Sequence, residues 1–173
     1  MPSFTLSLVH NDFIIVRSCT TAKPKHSFSY TLYRTGDTMD DQELMERARK
    51  ASENSYSPYS KFEVGAALLT EDGDIISGCN VENVSYGLSV CAERAALFKA
   101  VSEGRKKGDF MKIAVAGRHH NGDWEFCSPC GACRQVILEF SGEKSIQVVY
   151  MNSEGSIKSV SIDELLPDAF TYL

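Results

Sequence analysis

The 173-residue sequence lacks a surplus of basic residues: 18 Lys and Arg face 23 Asp and Glu, for a formal net charge of −5. Proteins that neutralise many phosphates usually carry a basic surplus, so this balance disfavours a duplex-DNA binder. Long apolar runs are also missing. In the leading segment, the only compact apolar run, residues 13–16, is too short for a transmembrane helix or a signal-peptide core. The sequence holds no internal repeat or low-complexity tract, and with 43% hydrophobic and 24% charged residues its composition is that of a soluble globular protein.

Charge and composition divide the chain before Met39. Residues 1–38 hold four basic groups, two acidic groups and eleven Ser and Thr, whereas residues 39–173 hold 14 basic and 21 acidic groups. We therefore expect residues 1–38 to be a flexible or weakly ordered N-terminal extension, and residues 39–173 to form the folded domain. Met39 is a candidate alternative start. A cytoplasmic location is expected; the alternative, a mitochondrial transit peptide in residues 1–38, is weakened by Asp12 and by the sparse arginines.

Six cysteines occur, at positions 19, 79, 91, 127, 130 and 133. An even count allows three disulfides, but no convincing secretory signal precedes these residues. In a chain without such a signal, the pattern Cys-Gly-Ala-Cys at 130–133 indicates metal binding or redox chemistry. Cys19 and Cys79 are expected to be free thiols, and Cys127 to be mainly structural.

Apolar periodicity and turn residues predict an alternation of helices and strands. Asp40 followed by Glu43 predicts a helix start, and this helix should run to about residue 52. Ser89 is the predicted N-cap of a buried helix, and Ser128 with Pro129 the predicted start of another. The predicted strands are 62–69, 75–82, 111–117, 146–150 and 157–160, the last two forming an antiparallel hairpin. With a last helical turn at 162–166, this order predicts a mixed sheet between helices.

Three cysteines near predicted helix starts form a candidate zinc site. Cys130 and Cys133 lie one turn apart, so both sulfurs can face one point. Cys91 is the best third ligand for tetrahedral zinc because it too lies at the start of a predicted helix, where the helix dipole lowers the pKa of a thiol. Three thiolates leave a fourth position for water, as in catalytic zinc sites. Glu93 follows Cys91 by two residues and is a candidate base for that water.

Blander interpretations of the same residues stay open at this point. The three cysteines could be buried small hydrophobic residues, and Cys127 could complete a four-cysteine structural zinc site. His119 and His120 are alternative ligands by residue type, although their polar surroundings indicate an exposed turn. The order Cys-Ala-Glu, then Pro-Cys-x-x-Cys 39 residues after the first cysteine, favours the catalytic interpretation. It is the signature of zinc nucleobase deaminases in its all-cysteine form.

Five motifs in register extend this signature over most of the chain. They lie at 56–69, 79–83, 91–94, 127–135 and in the tail Glu-Leu-Leu-Pro-Asp-Ala-Phe. In order and spacing, from about Met39 to Phe170, they resemble the small homotetrameric zinc-dependent cytidine deaminases. Residues 1–38 are the one departure, because the compact family core does not need them.

The resemblance implies an α/β fold with three layers, αβα, in which a five-stranded mixed sheet has helices on both faces. It implies one zinc ion per subunit, held by Cys91, Cys130 and Cys133, with Glu93 as the catalytic proton shuttle. The implied substrate-binding residues are Phe62, Asn80, Glu82, Tyr86, Ala92 and Phe170, and the residues implied to bond to the thiolates are Arg94 and Gln135. Asn80 and Glu82 would hold the ribose hydroxyls and Phe62 would lie against the pyrimidine ring. Tyr86 and Phe170 would complete the site of a neighbouring subunit.

The implied reaction is hydrolytic deamination of cytidine and deoxycytidine to uridine and deoxyuridine, a step of pyrimidine salvage, with zinc-bound hydroxide attacking C4. The expected partners are a small nucleoside and further copies of the chain, with neither nucleic acid nor membrane. Two rivals stay open: a relative acting on another aminated base or a nucleoside antibiotic, and a structural zinc-binding module. A nucleic-acid editing enzyme is disfavoured because residues 39–173 carry a charge of −7 and offer no evident strand-binding groove.

Overall fold

The computed structural model describes residues 39–171 and three strands of the preceding segment. The chain divides into two compact units, Met1–Thr38 and Met39–Leu173. In the first unit, the strands β1 (Leu8–His10), β2 (Phe13–Cys19) and β3 (Phe28–Arg34) form an antiparallel sheet in the order β1-β2-β3. The prediction that Cys19 is a free thiol concerns a side chain that the structure does not describe. Most residues of the predicted extension also lie outside the described residues.

The second unit contains four α-helices, one 3-10 helix (Tyr86–Leu88) and six strands in its described residues. The helices are α1 (Asp41–Ser52), α2 (Ala92–Ser102), α3 (Gly131–Phe140) and α4 (Ile162–Leu165). The strands are β4 (Phe62–Thr70), β5 (Ile75–Cys79), β6 (Phe110–His119), β7 (Trp124–Glu125), β8 (Gln147–Met151) and β9 (Ile157–Ser161). They form one sheet in the order β5-β4-β6-β8-β9, in which only β6 and β8 run parallel, and β7 pairs with the end of β6.

The sheet lies between two layers of helices, which confirms the predicted three-layer α/β fold. On one face, α1 buries Leu44, Met45 and Ala48 against β4, β6 and β8. On the other face, α2, α3 and α4 bury apolar side chains such as Leu97 and Ile137 against the opposite side of the same strands. None of the helices in the described part of the chain has the length and apolar character that crossing a membrane requires.

The start of α1 agrees with its prediction. The Asp40 carboxylate accepts a hydrogen bond from the Glu43 backbone N–H at 2.7 Å, so it caps the helix at the predicted residue. Acidic residues occupy the first turn of α1 and basic residues the last, which complements the helix dipole. The helix ends at Ser52, also as predicted.

The starts of α2 and α3 differ from their predictions. The predicted caps, Ser89 and Ser128, lie outside the helices, and the observed N-caps are Cys91 and Cys130, both with extended backbones. Ser128 Oγ instead accepts a long hydrogen bond from Arg134 at 3.5 Å. Because serine is a preferred cap and cysteine is not, propensity alone begins both helices too early. As a result, the N-cap positions of α2 and α3 hold cysteine thiols rather than the predicted serine hydroxyls.

Two further differences concern the sheet. β5 ends at Cys79, earlier than predicted. The Asn80 backbone N–H still donates to the Val64 carbonyl at 3.0 Å, but the Asn80 side chain takes the place of its carbonyl in the pairing with β4. Its Oδ1 accepts from the Val64 N–H and its Nδ2 donates to the Phe62 carbonyl, both at 2.9 Å. The sheet also has six strands rather than five, since Trp124–Glu125 adds β7. Two residues are too few to show the alternation by which strands are predicted.

Gly78 allows α2 to approach β5 closely. A Cβ atom on Gly78 would lie 2.4 Å from the Ala96 backbone nitrogen and 2.7 Å from the Ala92 carbonyl oxygen. Both are backbone atoms, so no side-chain rotation relieves the contact. Because Ala92 directly follows Cys91, this close approach fixes the N-terminus of α2, and with it one thiol, against the sheet.

We therefore expect Gly78→Ala to lower the free energy of unfolding by about 1–3 kcal/mol, because the added methyl overpacks a backbone contact. Urea denaturation of the zinc-loaded protein measures this change. Gly131→Ala is the matched control, since a Cβ atom there meets nothing within 4 Å. Equal stability of the two variants would show that α2 can move away from β5 without loss.

Candidate active site and metal centre

Three thiols from two helix N-termini meet at one point. Cys91 is the N-cap of α2, Cys130 is the N-cap of α3, and Cys133 lies in the first turn of α3. Their sulfurs all lie within 4.8 Å of one another, and those of Cys91 and Cys130 are 3.9 Å apart. Cys133 is buried, Cys91 is partly exposed and Cys130 is exposed, so the cluster opens to solvent on one side.

The geometry and the charge of this cluster fit zinc. Thiolates at a metal–sulfur distance of about 2.3 Å around a tetrahedral ion lie about 3.8 Å apart, close to the separation of Cys91 and Cys130. A hydrogen bond from the Cys133 thiol, helped by the Arg94 guanidinium, lowers the pKa of Cys91 to about 5. The same hydrogen bond and burial raise the pKa of Cys133. A bound cation would favour the thiolate form of all three cysteines, because a metal binds the deprotonated sulfur.

The other candidate ligands lie outside this cluster. Among the described residues, the group that could hold a metal ion consists of the three cysteines alone. Cys127 is not part of this group, and burial raises the pKa of its thiol to about 12. His119 is the last residue of β6 and His120 begins the turn to β7, where its Nδ1 is 2.6 Å from Glu63 Oε1. The predicted three-cysteine arrangement therefore has geometric support that the alternatives lack.

Glu93 is a buried carboxyl group beside the thiols. It lies in the first turn of α2 and is only 3% exposed. Burial, reinforced by the charge of Cys91, raises the pKa of Glu93 to about 7. Burying a carboxylate is costly, so such groups concentrate at functional sites. A carboxyl group that titrates near neutral pH can both accept and return a proton under working conditions.

Arg94 and Gln135, the two residues expected to bond to thiolates, differ in their contacts. Arg94 Nη2 donates to Cys91 Sγ at 3.8 Å and to the Ser89 carbonyl at 3.1 Å. Gln135 Nε2 instead donates to the Phe170 carbonyl at 2.8 Å, and no thiolate bond to it occurs among the described contacts. Gln135 lies two residues after Cys133, and in the described contacts its amide binds the C-terminal segment.

Asn80, Val81 and Glu82 form a link between the metal cluster and the loop before β4. The backbones of Val81 and Val90 exchange two hydrogen bonds of 2.9 Å, and Val90 directly precedes the first metal-site cysteine. On the other side, the Tyr56 N–H donates to the Asn80 carbonyl and the Glu82 N–H donates to the Tyr56 carbonyl. Backbone hydrogen bonds therefore hold both predicted ribose-binding residues at a set position relative to the thiols.

The Glu82 carboxylate is held by backbone N–H groups. Its Oε2 accepts from Tyr59 at 2.9 Å and from Ser60 at 3.2 Å, which leaves Oε1 free for a ligand. Hydrogen bonds from Ser60 and Tyr59 lower the pKa of Glu82. The Asn80 amide likewise has one N–H beyond its bond to β4. Both side chains thus keep hydrogen-bonding capacity for a polar ligand.

The lowered pKa of Glu82 predicts a specific loss of stability in acid. The folded state binds the proton of this carboxyl less tightly than the unfolded state, whose value is about 4.3, so the contribution is complete above that value. It is lost as pH falls through the lower folded value. We expect the difference in unfolding free energy between wild type and Glu82→Gln to shrink as pH falls from about 5 to 3. A difference that does not depend on pH would contradict the hydrogen bonds to Tyr59 and Ser60.

The remaining predicted substrate residues occupy different environments. Phe62 begins β4 and is partly buried, with its ring edge-on to the His119 ring at 5.0 Å. The Ala92 side chain is fully buried in the core, so only its backbone is available to a ligand. Tyr86 and Phe170 are 75% and 81% exposed, so in the single chain both lie largely in solvent.

Sequence reasoning missed the backbone groups that organise this site. The Tyr59 and Ser60 N–H groups that bind Glu82 belong to the segment between the predicted helix that ends near residue 52 and the predicted strand 62–69, where no element is predicted. Lys61 adopts the left-handed conformation, with φ +58°, which is uncommon outside glycine. Pro58 is the residue that could have indicated this segment, because a proline in a polar run predicts a turn. Backbone N–H groups in a turn can bind side chains such as that of Glu82.

Comparison with known proteins agrees with this geometry. Residues 38–151 match the family described as the cytidine and deoxycytidylate deaminase zinc-binding region. A cytidine deaminase from Halalkalibacterium halodurans is 50% identical over 133 residues, which are 77% of this chain and 96% of that protein. The crystal structure of cytidine deaminase from Burkholderia pseudomallei is similar with a TM-score of 0.68 and 50% identity, covering 76% of this chain and 100% of that one.

A relative with a different name is also similar. A blasticidin-S deaminase from Bacillus cereus is 36% identical over 139 residues, which are 78% of this chain and 94% of that protein. The family match, the relatives that are covered almost completely and the three-cysteine cluster with its buried glutamate point the same way. This chain belongs to the zinc-dependent cytidine and deoxycytidylate deaminase family.

Proposed function

We propose that the protein is a zinc-dependent cytidine deaminase that converts cytidine and deoxycytidine to uridine and deoxyuridine. The observation that carries the proposal is a buried carboxyl group, Glu93, beside a cluster of three thiols that fits zinc. Cys91, Cys130 and Cys133 would hold the ion. When bound, zinc lowers the pKa of a water molecule so that it can act as a nucleophile near neutral pH.

Glu93 performs the proton transfers in this proposal. Its carboxylate accepts a proton from the attacking water and delivers it to N3 of the pyrimidine ring, while oxygen adds at C4. A second proton transfer, from the oxygen added at C4 to the amino group, converts that group into ammonia. Ammonia leaves with the electrons of the C4–N bond as the C4–O bond becomes the carbonyl of uridine. The position of Glu93 supports this role, because its buried carboxyl group lies in the first turn of α2, two residues after the N-cap thiol. Arg94, which donates to Cys91 Sγ, offsets the negative charge of the thiolates.

Recognition of the sugar is proposed for Asn80 and Glu82, and contact with the ring for Phe62. The free Oε1 of Glu82 and the free N–H of Asn80 provide an acceptor and a donor for ribose hydroxyls. Fixing the sugar also orients the ring over the metal and lets the enzyme reject bases that lack a sugar.

A substrate panel tests this proposal. We expect turnover of cytidine and deoxycytidine, and a kcat/KM for free cytosine lower by at least about 100-fold, because the polar groups of Asn80 and Glu82 then stay unpaired. Blasticidin S belongs in the panel because of the similar deaminase that bears its name. Equal kcat/KM values for cytosine and cytidine would contradict the proposal that Asn80 and Glu82 bind the ribose. Preference for blasticidin S over both nucleosides would replace the proposed substrate.

Assembly into a homotetramer is proposed from the resemblance to the small homotetrameric cytidine deaminases, and exposed apolar side chains support it. Val84, Tyr86, Leu88 and Phe170 are between 68% and 81% exposed. The first three lie in the segment that precedes Cys91, and Gln135 of α3 binds the Phe170 carbonyl. Large exposed apolar groups mark interaction surfaces, and a second copy of the chain would bury these. In this arrangement Tyr86 and Phe170 complete the site of the neighbouring subunit, where Phe170 stacks on the base.

Residues 39–173 are proposed as the catalytic domain and residues 1–38 as an extension outside it. The family match begins at residue 38, and the chain divides into compact units at the same place. A cytoplasmic location is proposed with this assignment, and there the enzyme would act in pyrimidine salvage.

A further inference from the structure

The turn between β6 and β7 contacts the loop that precedes β4. We propose that His120, in this turn, is a positioning residue for nucleoside binding, because it holds the segment 59–63 through the Lys61 carbonyl and the Glu63 carboxylate. The inference rests on the proposed function, since segment 59–63 supports the residues proposed to bind the nucleoside. Nothing in the motif pattern singles out His120 for this role.

Two hydrogen bonds join His120 to the segment. Its backbone N–H donates to the Lys61 carbonyl at 2.9 Å, and its Nδ1 lies 2.6 Å from Glu63 Oε1. An ionised carboxylate only accepts hydrogen bonds, so Nδ1 must carry the proton. This hydrogen bond is the largest cause of the lowered pKa of Glu63. Arg118 Nε binds the other oxygen of Glu63 at 3.1 Å, so His120 bonds to a carboxylate that is already anchored to the sheet.

The segment held by His120 needs such support. Lys61 has φ +58°, a conformation that persists in a non-glycine residue when its neighbours enforce it. The Phe62 N–H donates to Ser60 Oγ on one side of Lys61, and the Lys61 N–H donates to the Ser57 carbonyl. With His120 bonded to the Lys61 carbonyl, the backbone at Lys61 is fixed at both its N–H and its carbonyl.

The same segment carries the proposed recognition groups. Ser60 and Tyr59 donate to the Glu82 carboxylate, and the Phe62 carbonyl accepts from the Asn80 amide. Lys61 lies between Ser60 and Phe62, so a change in its backbone shifts both anchors. The His119 ring, one residue before His120, contacts the Phe62 ring itself. The turn thus acts on sugar and ring recognition together.

This arrangement predicts an effect on binding rather than on chemistry. The hydrogen bonds of His120 lead to segment 59–63, and none of those described reaches Glu93 or the three cysteines. The His120 side chain is 64% exposed, and exposed pairs of this kind contribute little. His120→Ala keeps the backbone bond to Lys61 and removes only the side-chain bond to Glu63. We therefore expect it to raise KM for cytidine about 2- to 5-fold, with kcat and zinc content unchanged.

The test compares His120→Ala, His120→Asn and Arg47→Ala in the zinc-loaded, full-length protein. Asn can place an amide N–H near the position of His Nδ1, so His120→Asn should restore a KM close to that of wild type. Arg47→Ala removes an exposed ion pair of α1, Arg47–Glu43, and should leave KM unchanged. Trp124 is the single tryptophan of the chain and lies on β7, so its fluorescence reports whether each variant keeps the pairing of β6 and β7.

The possible results separate this inference from the proposed function. A raised KM with unchanged kcat, restored in His120→Asn, supports the positioning role. A wild-type KM in His120→Ala, a fall in kcat or zinc content without a change in KM, or failure of His120→Asn to restore KM overturns it. Absence of cytidine turnover by the wild-type protein overturns the proposed function, and this inference with it.

Discussion

Replacing Glu93 with glutamine is expected to lower kcat for cytidine by at least about 10²–10⁴-fold, the range that a general acid–base group contributes. Glutamine keeps the size and hydrogen-bonding shape of the side chain but cannot accept and return a proton. Because the thiols are untouched, we expect one zinc per chain to remain. Steady-state kinetics with metal analysis of the same preparation measure both quantities.

Glu63→Gln is the matched control for this prediction. Glu63 is also a poorly exposed carboxylate, but its partners are Arg118 and His120 rather than thiols. Its replacement should leave kcat close to that of wild type. Substantial turnover by Glu93→Gln, or an equal loss of kcat in both variants, would remove Glu93 from the proton-transfer role.

Replacing Cys133 with serine is expected to reduce bound zinc well below one per chain and to abolish turnover. The Cys133 sulfur is fully buried and within 4.8 Å of the other two sulfurs, and a hydroxyl is a far weaker zinc ligand than a thiolate. Loss of the ion also removes the cation that balances the thiolate of Cys91. Metal analysis after dialysis and thermal unfolding with and without added zinc measure these effects.

Cys127→Ser serves as the control for the ligand assignment. Cys127 lies three residues before Cys130, but burial raises its pKa to about 12 and it is not part of the cluster. We expect this variant to keep its zinc and most of its activity. Zinc loss in Cys127→Ser equal to that in Cys133→Ser would favour the four-cysteine structural site.

The metal ligands could be predicted from sequence because their spacing is local. Cys130 and Cys133 are three residues apart at a helix start, which brings their sulfurs together whatever the rest of the fold does. Adding Cys91 required only a second helix start, and the structure brings all three sulfurs together. The three-layer fold was equally accessible, since helix and strand periodicities alternate clearly along residues 39–173.

Other features depended on contacts that no local pattern records. Cys91 and Cys130, rather than the predicted Ser89 and Ser128, are the caps, and their sulfurs lie 3.9 Å apart although the residues are 39 positions apart. Capping preference does not predict such a tertiary arrangement. The early end of β5 depends on the Asn80 side chain bonding to the backbone of another strand. The contact of Gln135 with the Phe170 carbonyl joins residues 35 positions apart.

The most direct test of this account is the yield of uridine and ammonia from cytidine by the purified, zinc-loaded protein. We predict equimolar uridine and ammonia, loss of turnover when a chelator removes the metal, and recovery when zinc is restored. A protein that binds one zinc per chain but leaves cytidine unchanged would contradict the account and favour a structural zinc module. Turnover that continues after complete removal of the metal would contradict it equally.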